Sequence, residues 1–370
     1  MDGKEQQTGR TLFLLQKGAT EEDFRVLATL LSAKTAFDGG GMHVWEGQGI
    51  GVLPIPYEQL ASVVPPRVLW QHGIKSIEPE LVFTTPSTPA VHEVPFDHLA
   101  ALGVYKSTWH GNGIRVAFLD TGLDESHAGF AGRIIARGSM IGAITTADQH
   151  GHGTHCTALA CGPRTFPGGL PGGVADEASV IVCQVANRYC MANSGDIIDG
   201  LLWVEQYDPH IILVPYNAHS TDNLPSPAFE ALCRRLLYDK KILVIASAGN
   251  GGGYGAGGVD HAANCNAIMA IGATDETGAP ASFSPALLPA GDPVDMVAPG
   301  SSIQSLWLYP DVKAYSGTSQ AAALAAGIAA LWAEKSGKRG YALWETLIDN
   351  AVVTPGASFR RVGSGSVVAP

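Results

Sequence analysis

The stretch Ile114-Arg115-Val116-Ala117-Phe118-Leu119-Asp120-Thr121-Gly122 joins an apolar run to an acidic residue and a glycine. Four further short apolar runs follow along the chain, at residues 180–185, 211–214, 242–246 and 267–273. Helical patterns lie between several of them, at residues 197–206 and 228–237. Continuous apolar strands that alternate with helices indicate a parallel sheet covered by helices on both faces. The sequence therefore predicts a large α/β domain over residues 97–370.

The residues before this domain form a unit of a different kind. Residues 1–83 follow the order β-α-β-β-α-β, which is the ferredoxin-like α+β pattern. Its predicted elements are a strand at 11–16, a helix marked by Phe24, Leu27 and Leu31, a hairpin at 42–45 and 49–55, a helix at 57–63 and a strand at 77–83. Residues 84–96 begin with the polar, proline-containing stretch Thr84-Thr85-Pro86-Ser87-Thr88-Pro89, which is typical of a linker.

Composition excludes several classes of partner. The net charge is −11, from 23 basic and 34 acidic residues, which argues against a nucleic-acid partner. The most apolar long segment, Gln320 to Trp332, is shorter than the roughly 20 residues of a membrane span, so we interpret it as a buried helix. The six cysteines have no paired spacing and are expected to be buried free thiols. We expect a cytoplasmic protein without a membrane partner; secretion stays open if Met1 replaces a removed leader.

Four motifs hold the residues with catalytic chemistry. Asp120 lies at a predicted strand tip, where the active sites of such sheets are found. The other motifs are His150-Gly151-His152-Gly153-Thr154-His155, Ala248-Gly249-Asn250 and Ser316-Gly317-Thr318-Ser319. Each alone has a plain structural interpretation: an Asp that caps a turn, a histidine cluster on the surface, or a serine that caps a helix.

In this order the motifs are far more specific, and the chain resembles the subtilase family of serine peptidases. The resemblance covers roughly residues 94–335. It implies that Ser319 is the nucleophile, His152 the general base and Asp120 the residue that orients the imidazole, with the Asn250 amide as oxyanion donor. The expected function is a serine endopeptidase that cleaves peptide or protein substrates through an acyl-enzyme on Ser319.

The N-terminal unit resembles the propeptide of many subtilases. The resemblance implies a self-inhibited zymogen whose own N-terminal domain is a partner in the cleft, with a processing cut between Phe83 and Val94. Cleft residues also depart from the family pattern: Val214-Pro215-Tyr216-Asn217 stands where Ser-Leu-Gly is usual, and we expect Tyr216 to narrow the pocket. Ser247, Ala248 and Gly249 complete the expected substrate site. No cofactor is expected, and residues 165–171 have too few oxygen-bearing side chains for us to assign calcium there.

Several rival interpretations stay open. The altered cleft favours a narrow processing protease that matures one peptide or protein. A catalytically silent binding module would leave the filled catalytic positions without a role. A zinc hydrolase could use His150, His152, His155 and Cys156, although Asp120, Asn250 and Ser319 would then have no function. The pattern Gly253-x-Gly255-x-x-Gly258 matches a dinucleotide fingerprint, but the next strand follows too soon for a crossover helix.

Overall fold

The computed structural model describes residues 6–17, 31, 41–45, 47–85, 88–89, 96–219, 224–252, 258–285, 294–353 and 357–370. Its strands are β1 (Gln7–Leu15), β2 (His43–Trp45), β3 (Ile50–Leu53), β4 (Ile74–Thr84), β5 (Thr88–Pro89), β6 (Arg115–Asp120), β7 (Ile134–Ser139), β8 (Thr165–Phe166), β9 (Leu170–Pro171), β10 (Ser179–Gln184), β11 (Met191–Asn193), β12 (Ile211–Val214), β13 (Leu243–Ser247), β14 (Met269–Thr274), β15 (Met296–Pro299), β16 (Ile303–Leu306) and β17 (Val312–Ser316). Its α-helices are α1 (Tyr57–Val63), α2 (Pro66–Gln71), α3 (His98–Ala101), α4 (His152–Cys161), α5 (Ser194–Glu205), α6 (Pro227–Tyr238), α7 (Thr318–Ser336), α8 (Gly340–Asp349) and α9 (Phe359–Val362).

The larger sheet has seven strands in the order β15-β14-β13-β12-β6-β10-β7. All of its neighbouring strands are parallel. Its central strands are buried along nearly their whole length, which explains their unbroken apolar sequence. The predicted α/β architecture is therefore confirmed, and the five predicted apolar runs are β6, β10, β12, β13 and β14.

Helix α7 is the buried helix predicted from the Ala-rich run. It packs against α4 and against β12 to β15. Its small side chains let it lie close to the sheet, and residues 318–331 are all buried. The helix begins at Thr318, so Ser319 lies in its first turn beside the sheet edge where the strands end.

The N-terminal unit has its own antiparallel sheet in the order β4-β1-β3-β2. Phe13, Leu53 and Leu60 are fully buried in a separate small core beneath it. The predicted hairpin and the helix at 57–63 are present, and α2 is an additional helix. The other predicted helix lies outside the described residues, apart from Leu31, which is helical and buried.

The two sheets are joined directly. Strand β11, which follows the large domain's β10, pairs with the end of β4 and extends the N-terminal sheet. Helices α5 and α6 contact β4 and β1 on the N-terminal side, and β10 and β13 in the large sheet. The N-terminal unit thus packs against α5 and α6, two helices of the large domain.

The predicted linker at 84–96 contains residues of two strands. Thr84 still belongs to β4, and its backbone exchanges two hydrogen bonds with Asn217. Thr88 and Pro89 form β5, which pairs antiparallel with Ser316 and Tyr315. Residues 86–87 and 90–95, which belong to the predicted processing region, lie outside the described residues.

All six cysteines are buried and unpaired, as the sequence predicts. Among the described residues, every helix is too short or too polar to cross a membrane.

Candidate active site

Asp120 and His152 form a buried pair at the carboxyl edge of the large sheet. Asp120 is the last residue of β6, and His152 is the first residue of α4. His152 Nδ1 lies 2.9 Å from Asp120 Oδ1 and 3.0 Å from Oδ2. Both side chains are about 1% exposed. The carboxylate can therefore hold the ring with Nδ1 protonated, which leaves Nε2 free to accept a proton.

Two glycines let α4 begin this close to the strand. A Cβ on Gly153 would lie 2.2 Å from the Gly122 carbonyl oxygen, and one on Gly151 would lie 2.2 Å from the Trp307 ring. Gly151 also has a φ of +106°, which L side chains rarely adopt. Side chains larger than hydrogen at these two positions would therefore push α4 away from the strand end.

Asp148 fixes the turn that precedes α4, a role that the sequence analysis missed. Its carboxylate accepts hydrogen bonds from the backbone N–H groups of His150, Gly151 and Thr154 and from the Thr154 hydroxyl. An acidic residue a few positions before a helix start is a capping signal and could have been found.

The other two histidines of the motif face an aromatic cluster. His155 is buried against the rings of Trp307 and Tyr315, and its Nε2 contacts the Lys313 carbonyl at 3.2 Å. Burial lowers the pKa of His155 to about 3, so this ring is neutral. His150 lies 5.7 Å from the Trp307 ring between centroids, and burial lowers its pKa too.

Ser319 is fully buried and its hydroxyl donates a 3.0 Å hydrogen bond to the Pro215 carbonyl. The resemblance implies a proton transfer from this hydroxyl to His152. In the structure the hydroxyl instead points to the carbonyl that follows β12. A hydroxyl rotates about one bond, so this orientation is one of several open to it.

Asn250 follows β13 and lies beside the start of α7. Its Oδ1 accepts hydrogen bonds from the Thr318 backbone N–H at 2.8 Å and from the Thr318 hydroxyl at 3.1 Å. Its amide nitrogen is buried, and no hydrogen-bond partner for it lies within the described part of the chain. The orientation of the amide is thus fixed through its oxygen, and its N–H groups are available to a ligand.

The residues predicted to bind substrate surround this edge, with one correction. The Asn217 backbone pairs with Thr84, as a cleft residue would pair with an extended peptide. Val214 is the buried end of β12; Ser247, Ala248 and Gly249 lie at the end of β13 and directly after it. Tyr216 was expected to narrow the pocket, but it is fully buried and its hydroxyl donates to Asp120 Oδ1 at 3.0 Å. Its ring lies against the His152 ring instead, with 5.8 Å between the centroids.

The structure does not assemble the zinc site considered from the sequence, since His155 Nε2 faces a carbonyl. Within the described ranges, the group close enough to share a metal is Asp120, His152 and Cys156. Two of these already bond to each other, and burial raises the pKa of the Cys156 thiol well above its usual range. A protonated thiol is a poor ligand. Most of the glycine-rich loop at 253–258 lies outside the described residues.

A family model described as the subtilase family matches residues 111–365. The chain belongs to the subtilase family. The match covers all four motifs and the seven-stranded sheet, so the resemblance inferred from the sequence is confirmed. The N-terminal unit lies outside the matched residues.

Individual subtilases are similar to this chain at about one third identity. M-protease of Shouchella clausii (strain KSM-K16) is 32% identical over 227 residues, which are 61% of this chain and 55% of that protein. Subtilisin Savinase of Lederbergia lenta is 32% identical over 61% of this chain and 78% of its own length. The thermostable alkaline protease of Halalkalibacterium halodurans is 32% identical over 303 residues, which are 81% of this chain and 76% of that protein. The chain thus spans about half the length of the first of these subtilases and about three quarters of the other two.

Proposed function

We propose that this chain is a serine endopeptidase that hydrolyses peptide bonds through an acyl-enzyme on Ser319. The observation that carries the proposal is the buried pair of Asp120 and His152, 2.9 Å apart at the sheet edge that also holds Ser319 and Asn250. The names of the similar subtilases, which include alkaline proteases and subtilisins, support it.

The proposed reaction uses each residue at a stated atom. His152 Nε2 takes the proton from Ser319 Oγ as that oxygen attacks the scissile carbonyl. The positive imidazolium is stabilised by Asp120, and the oxyanion accepts hydrogen bonds from the Asn250 amide and the Ser319 backbone N–H. His152 then gives its proton to the leaving amine. In the second half of the reaction, His152 takes a proton from a water molecule that attacks the acyl-enzyme, and it returns this proton to Ser319 Oγ as the carboxylic acid is released.

A fluorophosphonate probe tests this proposal directly, because it modifies an activated serine and leaves ordinary serines unchanged. We expect the probe mass on the peptide that contains Ser319, together with hydrolysis of a casein-type substrate. A processed chain that neither reacts nor hydrolyses would favour the silent binding module. Activity that a chelator abolishes and the probe does not would favour a metal hydrolase.

A narrow processing protease is the second candidate. The segment Val214-Pro215-Tyr216-Asn217 stands where the usual family pattern has Ser-Leu-Gly, which favours a restricted substrate range. A peptide library separates the two candidates: cleavage at many unrelated sequences supports the general endopeptidase, and cleavage of one sequence class supports the narrow form.

We propose further that the chain is a zymogen with residues 1–83 as its inhibitory domain and residues 84–96 as the processing segment. Two backbone pairings support this. Thr84 pairs with Asn217, two residues beyond the carbonyl that accepts the Ser319 hydroxyl. Thr88 pairs with Ser316, three residues before Ser319. We infer from these two pairings that the segment crosses the cleft beside the nucleophile, in the manner of a peptide added to a strand edge.

Side chains of β4 also dock on two helix starts of the large domain. Glu78 accepts a hydrogen bond from the Ala228 N–H in the first turn of α6. Glu80 is fully buried and accepts one from Gly195 N–H in the first turn of α5. Oxygen acceptors are favoured at helix N-termini because the first backbone N–H groups of a helix have no partner within the helix. Arg10 neutralises Glu80 with two further hydrogen bonds.

The register narrows the proposed cut. The sequence alone leaves it anywhere between Phe83 and Val94, whereas the two pairings leave four peptide bonds between Thr84 and Thr88. We expect the intact mass of the purified full chain to fall with time by a fragment that ends at residue 84, 85, 86 or 87. An active chain that stays full-length would favour a permanent accessory domain, and a cut beyond Thr88 would contradict the register.

Docking of β4 should depend on pH through Glu78. Burial of its carboxyl group raises the pKa of Glu78 to about 7, against the hydrogen bonds from Ala228 and Ser226. A raised pKa means that the protonated form is favoured in the docked chain. The contribution to stability is therefore complete below the ordinary value of 4.5 and is lost as the pH rises through 7.

We expect Glu78→Gln to remove this loss. Both proteins are compared in a Ser319→Ala background. At alkaline pH the thermal midpoint of the variant should lie about 2–4 °C above that of its parent, which corresponds to about 1 kcal/mol in the free energy of unfolding. Near pH 5 the two midpoints should be equal. Glu58→Gln, at an exposed position on α1, is the matched control and should follow its parent throughout. Equal slopes of midpoint against pH in all three proteins would contradict the role of Glu78.

For location we propose the cytoplasm. Six buried, unpaired thiols support it, since reducing compartments preserve free cysteines. Fractionation of the source cells tests this, and recovery of the chain outside the cell would overturn it.

A further inference from the structure

Tyr216 follows β12 at the edge of the predicted cleft, but its side chain contacts the pair formed by Asp120 and His152. Its side chain is fully buried, and its hydroxyl lies 3.0 Å from Asp120 Oδ1. Its ring lies 5.8 Å from the His152 ring between centroids, edge to face. The tyrosine therefore touches both members of the pair and is shielded from solvent.

The hydroxyl is a proton donor in this position. Burial and the charge of Asp120 raise the pKa of Tyr216 well above its usual range, so the phenol keeps its proton. Asp120 Oδ1 also accepts the Thr121 backbone N–H at 2.7 Å. Within the described residues, Tyr216 and His152 are the two side chains that donate to this carboxylate.

A chain of hydrogen bonds extends from this hydroxyl to the segment that crosses the cleft. Cys190 Sγ lies 3.4 Å from the Tyr216 oxygen, and Thr85 Oγ1 lies 2.8 Å from the same sulfur. A single assignment of hydrogen-bond donors is consistent with all three contacts. Because the phenol donates to Asp120, its oxygen accepts the Cys190 S–H, and the sulfur accepts the Thr85 hydroxyl. Burial raises the pKa of Cys190 to about 12, so the thiol has a proton to donate.

We propose that Tyr216 is a positioning residue, which holds the Asp120 carboxylate against His152. Through Cys190, its hydrogen bonding also depends on whether the segment at Thr85 is in the cleft. The inference rests on the proposed peptidase function and deepens it. Tyr216 does not touch the reacting atoms; it acts through Asp120. A donor on Oδ1 fixes the rotation of the carboxylate and shares its negative charge, so the imidazolium receives less of that charge.

Burial favours the uncharged forms of the two other histidines and of the cysteine beside the pair. Burial depresses the pKa of His155 to about 3 and also lowers that of His150, and it raises the pKa of the Cys156 thiol well above its usual range. The titratable and charged groups that face the pair, besides Tyr216, are Cys156, Cys190, Asp148, His150, His155 and Lys313. A change in the acidic limb of the rate profile in a Tyr216 variant is therefore assigned to the Asp120–His152 pair.

The test is Tyr216→Phe in the processed enzyme, with a chromogenic peptide as substrate. The substitution keeps the ring and removes the hydroxyl alone. We expect kcat to fall about tenfold at unchanged KM because the carboxylate is less well oriented. We also expect the midpoint of the acidic limb of kcat/KM to rise by roughly 0.5–1 pH unit, because Asp120 then stabilises the imidazolium more strongly. Tyr105→Phe, which removes an exposed tyrosine–carboxylate contact with Asp97, is the matched control and should leave both values unchanged.

A merely structural role would lower the thermal midpoint of Tyr216→Phe and leave the acidic limb and kcat in place; that result would overturn the inference. Cys190→Ala supplies a second variant in case Tyr216→Phe does not fold. It removes the donor to the phenol oxygen and should move the acidic limb by less than Tyr216→Phe does; no movement would count against the inference. Failure of the peptidase proposal is distinguishable, since wild-type enzyme would then show neither hydrolysis nor labelling at Ser319.

Discussion

Replacement of Ser319 by alanine is expected to lower kcat by about 10⁶ and to leave the chain at its full length. The expected loss is this large because the nucleophile, the base and the orienting carboxylate act as one unit, and the magnitude is that of the subtilisin triad. Peptide hydrolysis measures turnover, and intact-mass spectrometry of the same sample measures processing. The two readouts should fail together if Ser319 both cuts substrates and releases its own N-terminal unit.

His152→Ala should cause a loss of the same size, and the double variant should be no worse than either single one. Ser336→Ala is the matched control, because this serine lies at the far end of the same helix and its hydroxyl donates to a backbone carbonyl. The control should process and turn over like the parent. A Ser319→Ala chain that is still cut would mean that another peptidase releases the N-terminal unit, and residual turnover within tenfold of the parent would contradict the role of Ser319.

The strands of the large sheet could be predicted from the sequence where they are central, for a physical reason. Strands such as β6 and β12 are covered on both faces, so all of β12 and the four residues between Arg115 and Asp120 in β6 are apolar. The edge strand β7 is different: Ile135 and Arg137 on it are exposed, so its sequence has no unbroken apolar run. The other edge strand, β15, has four residues and ends in a proline, so its sequence is hard to distinguish from that of a loop.

The residues of the candidate site could be predicted from the sequence, but the hydrogen bonds between their side chains could not. Short glycine-bearing motifs mark Asp120, His152, Asn250 and Ser319, because the backbone must approach closely there. The direction of a side chain after a strand end depends on the path of the following turn. From the sequence alone, Tyr216 could therefore equally be a residue of the pocket wall or a buried hydrogen-bond donor. The hydrogen bond from Ser319 to the Pro215 carbonyl depends on the backbone path of the same segment.

Asn250→Ala is expected to lower kcat by about 10²–10³ with little change in KM, a magnitude that comes from the oxyanion hole of a related subtilisin. The geometry supplies the reason. Thr318 holds the Asn250 oxygen through two hydrogen bonds, so the amide cannot turn over without losing both. The nitrogen then faces away from Thr318, the residue before the nucleophile in α7, and its N–H groups have no hydrogen-bond partner among the described residues.

A donor in this place contributes mainly to the transition state. The substrate carbonyl oxygen carries little charge before attack, and a full negative charge develops on it only when Ser319 Oγ adds. Loss of the amide therefore raises the barrier to acylation and leaves binding of the substrate almost unchanged. Steady-state kinetics on one chromogenic peptide separate the two effects, and the Ser319 labelling rate with the fluorophosphonate probe gives an independent measure of the same loss.

Asn250→Asp sharpens the test, because it keeps the size of the side chain and replaces the donor by a carboxylate oxygen. We expect a loss of turnover at least as large as that of Asn250→Ala, since a negative charge beside a developing oxyanion opposes it. Asn112→Ala, at an exposed asparagine that donates to Glu177, is the matched control and should retain parental kinetics. A tenfold rise in KM at constant kcat in Asn250→Ala would instead make Asn250 a substrate-binding residue, and the second oxyanion donor would have to be sought elsewhere at the start of α7.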